Sequence, residues 1–127
     1  MNPAGELLIV DYKATAKDAE VTLDAQWQDG YKRQVEIYQW LFRRNDFKVA
    51  KTTYFVYGNG KADRKAFDGK WEFDVTVIPY EGNDDWVEPV IFKAHQCLSG
   101  EAIPAADPNC DYCRYIVSVN DTVKSKA

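Results

Sequence analysis

Leu7-Leu8-Ile9-Val10-Asp11-Tyr12-Lys13 joins an unbroken apolar run of four residues to an acid and a base two positions apart. A short apolar run bounded by Gly5 and by charges predicts a strand over about residues 6–14, buried on both faces. Side chains alternate across a strand, so Asp11 and Lys13 fall on the same face, roughly 7 Å apart along the chain. By itself, Asp-x-Lys reads as a plain ion pair.

Working outward, residues 16–29 carry mixed signals, with Leu23 and Trp27 as the anchors of a loop or short helix. From 29 to 44, Tyr31, Val35, Tyr38 and Phe42 recur at helical spacing beside Ile37 and Leu41. Lys32, Arg33, Glu36, Gln39 and Arg43 fill the other side, so an amphipathic helix is predicted, stopped by Asn45-Asp46. Gln34 and Tyr38 lie one turn apart on one face of that helix and can point together toward the strand. Residues 49–57 and 70–80 read as two antiparallel strands, with turn chemistry in Tyr57-Gly58-Asn59-Gly60. Asn83-Asp84-Asp85 offers caps for a second helix over about 85–98, closed by Gly100. Beyond it, an irregular segment around Pro104, Pro108 and Cys110–Tyr115 leads into a polar, fraying tail over 119–127. The order β, α, β, β, α predicts an α+β fold with an α/β-type core, a mixed sheet flanked by helices.

A chain of 127 residues that is 46% apolar fits one domain with a buried core. Its net charge of −4 excludes the argument that a basic protein binds nucleic acid. The charge is unevenly spread: residues 1–51 carry eight Lys and Arg against eight acids, and the remainder eight against twelve. A polyanion is therefore expected at the first half, and Lys32, Arg33, Arg43 and Arg44 are the candidates to face phosphates. With no run of about 18 apolar residues and no basic-then-apolar start, the expected address is cytoplasmic, away from any membrane. Three cysteines, an odd number, fit reduced thiols or metal ligands better than a secreted disulfide scaffold. Cys97, Cys110 and Cys113 make three soft ligands where structural zinc or an iron–sulfur cluster takes four, and His95 is a candidate fourth for zinc alone. Asp84, Asp85 and Glu88 read as acids that complement a helix N-terminus. No phosphate-cradling loop, Ser-His-Asp set or dinucleotide fingerprint is present.

The segment Gly5–Thr15 with Asp11-Tyr12-Lys13, followed by Gln34-x-x-x-Tyr38, resembles the PD-(D/E)XK nuclease superfamily in its RecB-like branch. The resemblance implies a partial restriction-endonuclease-like fold and metal-assisted hydrolysis of DNA, of exonuclease type in the complete protein, in repair, recombination or phage and mobile-element processes. Asp11 and the backbone carbonyl of Tyr12 would ligate Mg²⁺ or Mn²⁺. Lys13 would orient the attacking water, and Gln34 and Tyr38 would position water or DNA. Some relatives carry an iron–sulfur cluster, but the fourth cysteine expected after Cys113 is absent from residues 114–120. The family's acidic ligand on a preceding strand is also absent, since only Glu6 precedes Asp11, on the same strand. The chain is therefore expected to be the C-terminal part of such a nuclease domain, weak or inactive alone, or a non-catalytic module that keeps the fold to bind DNA or protein. A strand whose neighbour is missing exposes its ladder, so a homodimer through that edge is also expected.

Overall fold

The computed structural model describes residues 1–63 and 69–125. The chain forms two compact bodies, residues 1–89 and 90–127. In the first, β1 (Val10–Thr15) is followed by a 3-10 turn at Gln26–Gln28, α1 (Asp29–Arg44), β2 (Thr52–Gly60) and β3 (Phe73–Glu81), and α2 (Val87–Ser99) begins. The sheet runs β1-β2-β3, with β1 parallel and β3 antiparallel to β2. It is the mixed sheet of an α+β fold. A parallel pair needs a long crossover, and α1 supplies it between β1 and β2.

The core lies on one side of the sheet. Ile9, Val21, Leu23, Val35, Val49, Phe55 and Tyr57 are buried together, with Leu7, Tyr31, Ile78 and Tyr80 packed against them. Helix α1 ends in a reciprocal pair of bonds, Asp46 N–H to Arg43 O and Phe47 N–H to Phe42 O, with Asp46 at φ +62° in the left-handed region. The predicted stop at Asn45-Asp46 thus has a defined geometry.

Four expectations need correction. β1 begins at Val10, and Leu7 makes only an isolated parallel bridge to Val49. Nor is β1 buried on both faces, because Val10 and Tyr12 are exposed, on the same face as the exposed Val75 and Val77 of β3. The inward face of α1 is largely polar: Val35, Glu36 and Gln39 are its buried residues, whereas Ile37, Tyr38, Leu41 and Phe42 are exposed. Apolar spacing misassigned this face because Glu36 and Gln39 find hydrogen-bond partners inside the fold. Finally, Asn59-Gly60 is not a turn. It is the end of β2, where the Asn59 amide accepts from Lys17 N–H and donates to Lys17 O, both at 2.8 Å.

The second body holds the rest of α2 and a helix that the sequence reading missed, α3 (Asp111–Lys124). Tyr112, Tyr115, Ile116, Val119 and Val123 keep helical spacing there, but interspersed Ser118, Asn120, Asp121 and Thr122 give the segment the look of a tail. Cys110 caps α3, its Sγ accepting from Cys113 N–H at 3.3 Å. Among the described residues, no helix is long and apolar enough to cross a membrane.

Candidate active site

Strand parity turns Asp11 and Lys13 toward the α1 side, and their side chains are 16% and 15% exposed. Lys13 Nζ lies 2.7 Å from Asp11 Oδ2 and donates to Gln34 Oε1 at 3.0 Å. Gln34 Nε2 in turn donates to Tyr38 OH at 2.7 Å. The four residues singled out from sequence therefore form one continuous row of contacts across β1 and α1. Tyr31, read from sequence only as core, completes the setting: its ring centroid is 3.9 Å from Lys13 Nζ, a cation–π distance. The ammonium is thus fixed by a carboxylate, an amide oxygen and an aromatic face at once. That rigidity suits a positioned charge better than a mobile surface lysine.

Asp11 Oδ2 is buried and has no hydrogen bond beyond its ion pair with the Lys13 ammonium. An oxygen in this condition is suited to a cation. A second oxygen is available on the backbone. Tyr54 N–H donates to Ile9 O at 3.0 Å, and alternation along a parallel ladder then directs the backbone groups of Asp11 and Lys13 to β2 and those of Tyr12 to the outer edge. The Tyr12 carbonyl therefore faces away from the sheet, beside the Asp11–Lys13 pair. Carboxylate and carbonyl oxygens are the hard donors that Mg²⁺ and Mn²⁺ take, so the set fits such an ion in kind. It is sparse in number, because no group of three His, Cys, Asp or Glu is assembled for a metal among the described residues.

Other candidates fall elsewhere. Lys32 pairs with Asp29 at 3.3 Å, and Arg33 is exposed without an ion-pair partner among the described residues. Arg43 is bound to Asp84 and reaches the Val49 and Ala50 carbonyls, and Arg44 is paired with Glu88. Asp84 and Glu88 thus hold arginines of α1, a role that a reading confined to their own helix did not show. The cysteines make no metal group with one another or with His95 among the described residues. Cys110 is held below the usual thiol range by the Cys113 N–H it accepts, whereas Cys113 is raised by its hydrogen bond to Cys110. This is the chemistry of a helix cap.

Sequence reasoning also missed the polar residues that hold this scaffold. Gln28, almost fully buried, accepts from Ala25 N–H and donates to Thr22 O and, at 3.4 Å, to Tyr57 OH. Burial pushes the Tyr57 phenol above its ordinary range. Gln39 Nε2 donates to Ala50 O and Lys51 O, tying α1 to the start of β2. No local spacing signals these bonds, because their partners lie in other elements.

Residues 2–118 match the PD-(D/E)XK nuclease superfamily, and the chain belongs to it. No curated protein and no solved structure matches significantly.

Proposed function

We propose that this chain carries the hydrolytic centre of a DNA nuclease of the RecB-like branch, with Asp11, Lys13, Gln34 and Tyr38 as its working residues. The observation that carries the reading is their unbroken row of contacts, Asp11 to Lys13 to Gln34 to Tyr38. Asp11 and the Tyr12 carbonyl would hold Mg²⁺ or Mn²⁺, which when bound activates water and offsets charge on the phosphoryl oxygens. Lys13 places a fixed positive charge and N–H donors where an attacking water or a phosphoryl oxygen would sit. Gln34 holds that ammonium in place and presents the Tyr38 hydroxyl to the phosphate backbone. Lys32 and Arg33, on the first turns of α1, supply non-specific phosphate contacts, whereas Arg43 and Arg44 are already engaged by Asp84 and Glu88.

A second carboxylate is needed to hold a divalent ion tightly, because Mg²⁺ gives up its waters reluctantly. On this reading a further strand bearing that acid joins the open edge of β1, and the working address is the cytoplasm. The alternative is a non-catalytic module that binds DNA or protein, favoured by the single carboxylate at the centre.

Cleavage of labelled single- and double-stranded DNA with Mg²⁺ or Mn²⁺ tests the proposal. Weak, metal-dependent cleavage is expected, falling at least about 100-fold in Asp11→Ala and in Lys13→Ala. Cleavage that survives Lys13→Ala overturns the assignment, and DNA binding without cleavage supports the alternative.

A further inference from the structure

Trp27 stands out beside this site. It is the central residue of the 3-10 turn that leads into α1, and it is 57% exposed although the turn is firmly held. The next residue does the holding: Gln28 is 1% exposed and bonded to Thr22 O, Ala25 N–H and Tyr57 OH. The indole is therefore presented outward from an ordered base. Its ring meets Tyr31 edge to face, with centroids 5.5 Å apart, and the Tyr31 ring lies 3.9 Å from Lys13 Nζ. Two contacts thus lead from the indole to the proposed catalytic lysine, a span of no more than about three nucleotides at roughly 3.4 Å each.

A cation accompanies the ring. Lys17 Nζ is 5.0 Å from the Trp27 centroid and has no carboxylate partner among the described residues. Its backbone is clamped on both sides by the Asn59 amide. The ammonium stands over one face of a ring that is more than half exposed, and an exposed indole with an unpaired cation matches what an unpaired nucleotide offers, a base to stack and a phosphate to neutralise. A duplex presents neither a free base face nor an unpaired end along its length. Burying the indole in the core is not an available explanation, since the turn that carries it is pinned with the ring outside.

We propose that Trp27, with Lys17, is a stacking platform for an unpaired base of single-stranded DNA, next to the hydrolytic centre. The inference rests on the nuclease reading and specifies its substrate as a single strand or frayed end. Such stacking is sequence-tolerant, because every base has a π face.

The test measures binding of the full chain to fluorescein-labelled single-stranded and duplex oligonucleotides, without divalent cation, so that hydrolysis plays no part. Trp27→Ala is expected to weaken single-strand binding about 10-fold and to leave duplex binding within about 2-fold, whereas Trp27→Phe retains most of the affinity. An abasic position scanned along the single strand should cost the wild-type chain a similar factor at one site and cost Trp27→Ala nothing further there. Equal losses on single strand and duplex, or abasic and Trp27 effects that simply add, overturn the platform while the nuclease reading stands. Failure to bind any oligonucleotide overturns both.

Discussion

Glu36 receives three hydrogen bonds inside the fold: from Tyr80 OH at 2.7 Å, Asn83 N–H at 3.1 Å and Trp86 Nε1 at 2.6 Å. A carboxylate with three donors tolerates burial, which is why a residue that the helical pattern assigns to solvent sits inside. Its effect reaches Tyr80, whose phenol is pushed up to about 12, first by burial and then by the Glu36 carboxylate. The folded chain therefore keeps the Tyr80 proton at pH values where the unfolded chain, with an ordinary value of 10.0, has lost it. The stability that Tyr80 contributes is fully present below pH 10 and is lost as pH rises toward about 12, and Tyr57, also raised by burial, adds in the same direction. Urea midpoints measured from pH 8 to 12 should show this decline. In Tyr80→Phe the alkaline decline becomes shallower, while stability at neutral pH falls by about 1.5–3 kcal/mol with loss of a hydrogen bond to a charged acceptor. An equally steep decline in Tyr80→Phe refutes the assignment. At this scale the sequence reading reached Asp11 with Lys13 and Gln34 with Tyr38, because strand parity and helix spacing are local rules. Glu36, Gln28 and Gln39 escaped it because their partners are other elements, brought close only by folding.

Among the elements, α1 shows where sequence pattern and packing part. Its boundaries, 29–44, agree with the structure, and at the C-terminus the breaking signal of Asn45-Asp46 acts locally, although Gln28 at the N-terminus makes no side-chain cap bond. Its inward face does not follow the apolar spacing, because Glu36, Gln39 and Arg43 dock the helix on the sheet through polar bonds. Gln39 bonds Ala50 O and Lys51 O, and Gly82 N–H bonds the same Lys51 carbonyl at 3.2 Å. A Cβ at Gly82 would collide with Gln39 Oε1 and crowd Glu36 Cγ at 3.3 Å. Gly82→Ala must therefore displace the Gln39 amide, leaving the Ala50 carbonyl with only its 3.4 Å bond from Arg43 and the Lys51 carbonyl with only Gly82 N–H. We expect a loss of about 1–3 kcal/mol by urea unfolding. Pairing it with Gln39→Ala should recover part of that loss, since the collision is gone, giving a coupling energy of at least about 0.5 kcal/mol. Strictly additive effects would show that the two residues do not interfere.

For the molecule as a whole, the two edges of the sheet differ. Because Tyr54 turns its backbone to β1, its partner Pro79 presents its ring nitrogen outward from β3, and that edge has no N–H to offer there. The outer edge of β1 has no proline, and among the described residues no strand pairs with it. An edge with an unpaired ladder and no proline leaves room for another strand. If that strand is β1 of a second copy, a two-fold axis allows antiparallel registers centred on Asp11, Tyr12 or Lys13. The first opposes two carboxylates and the last two ammoniums, whereas centring on Tyr12 sets each Asp11 against the partner's Lys13, the favourable cross-strand arrangement. In that register the two Asp11 residues become diagonal neighbours about 7–8 Å apart, so each copy would bring the carboxylate that the other lacks. The Tyr12 carbonyl keeps one lone pair free of the inter-chain bond. Light scattering should therefore report a dimer for the wild-type chain and monomers for Asp11→Lys and Lys13→Asp taken separately, since each opposes like charges at both positions. Mixing those two variants restores opposite charges at every position and should yield a heterodimer, an outcome that misfolding of either variant cannot produce. A monomeric wild-type chain, or a dimer that persists in either single variant, shows that this edge is not what joins two copies.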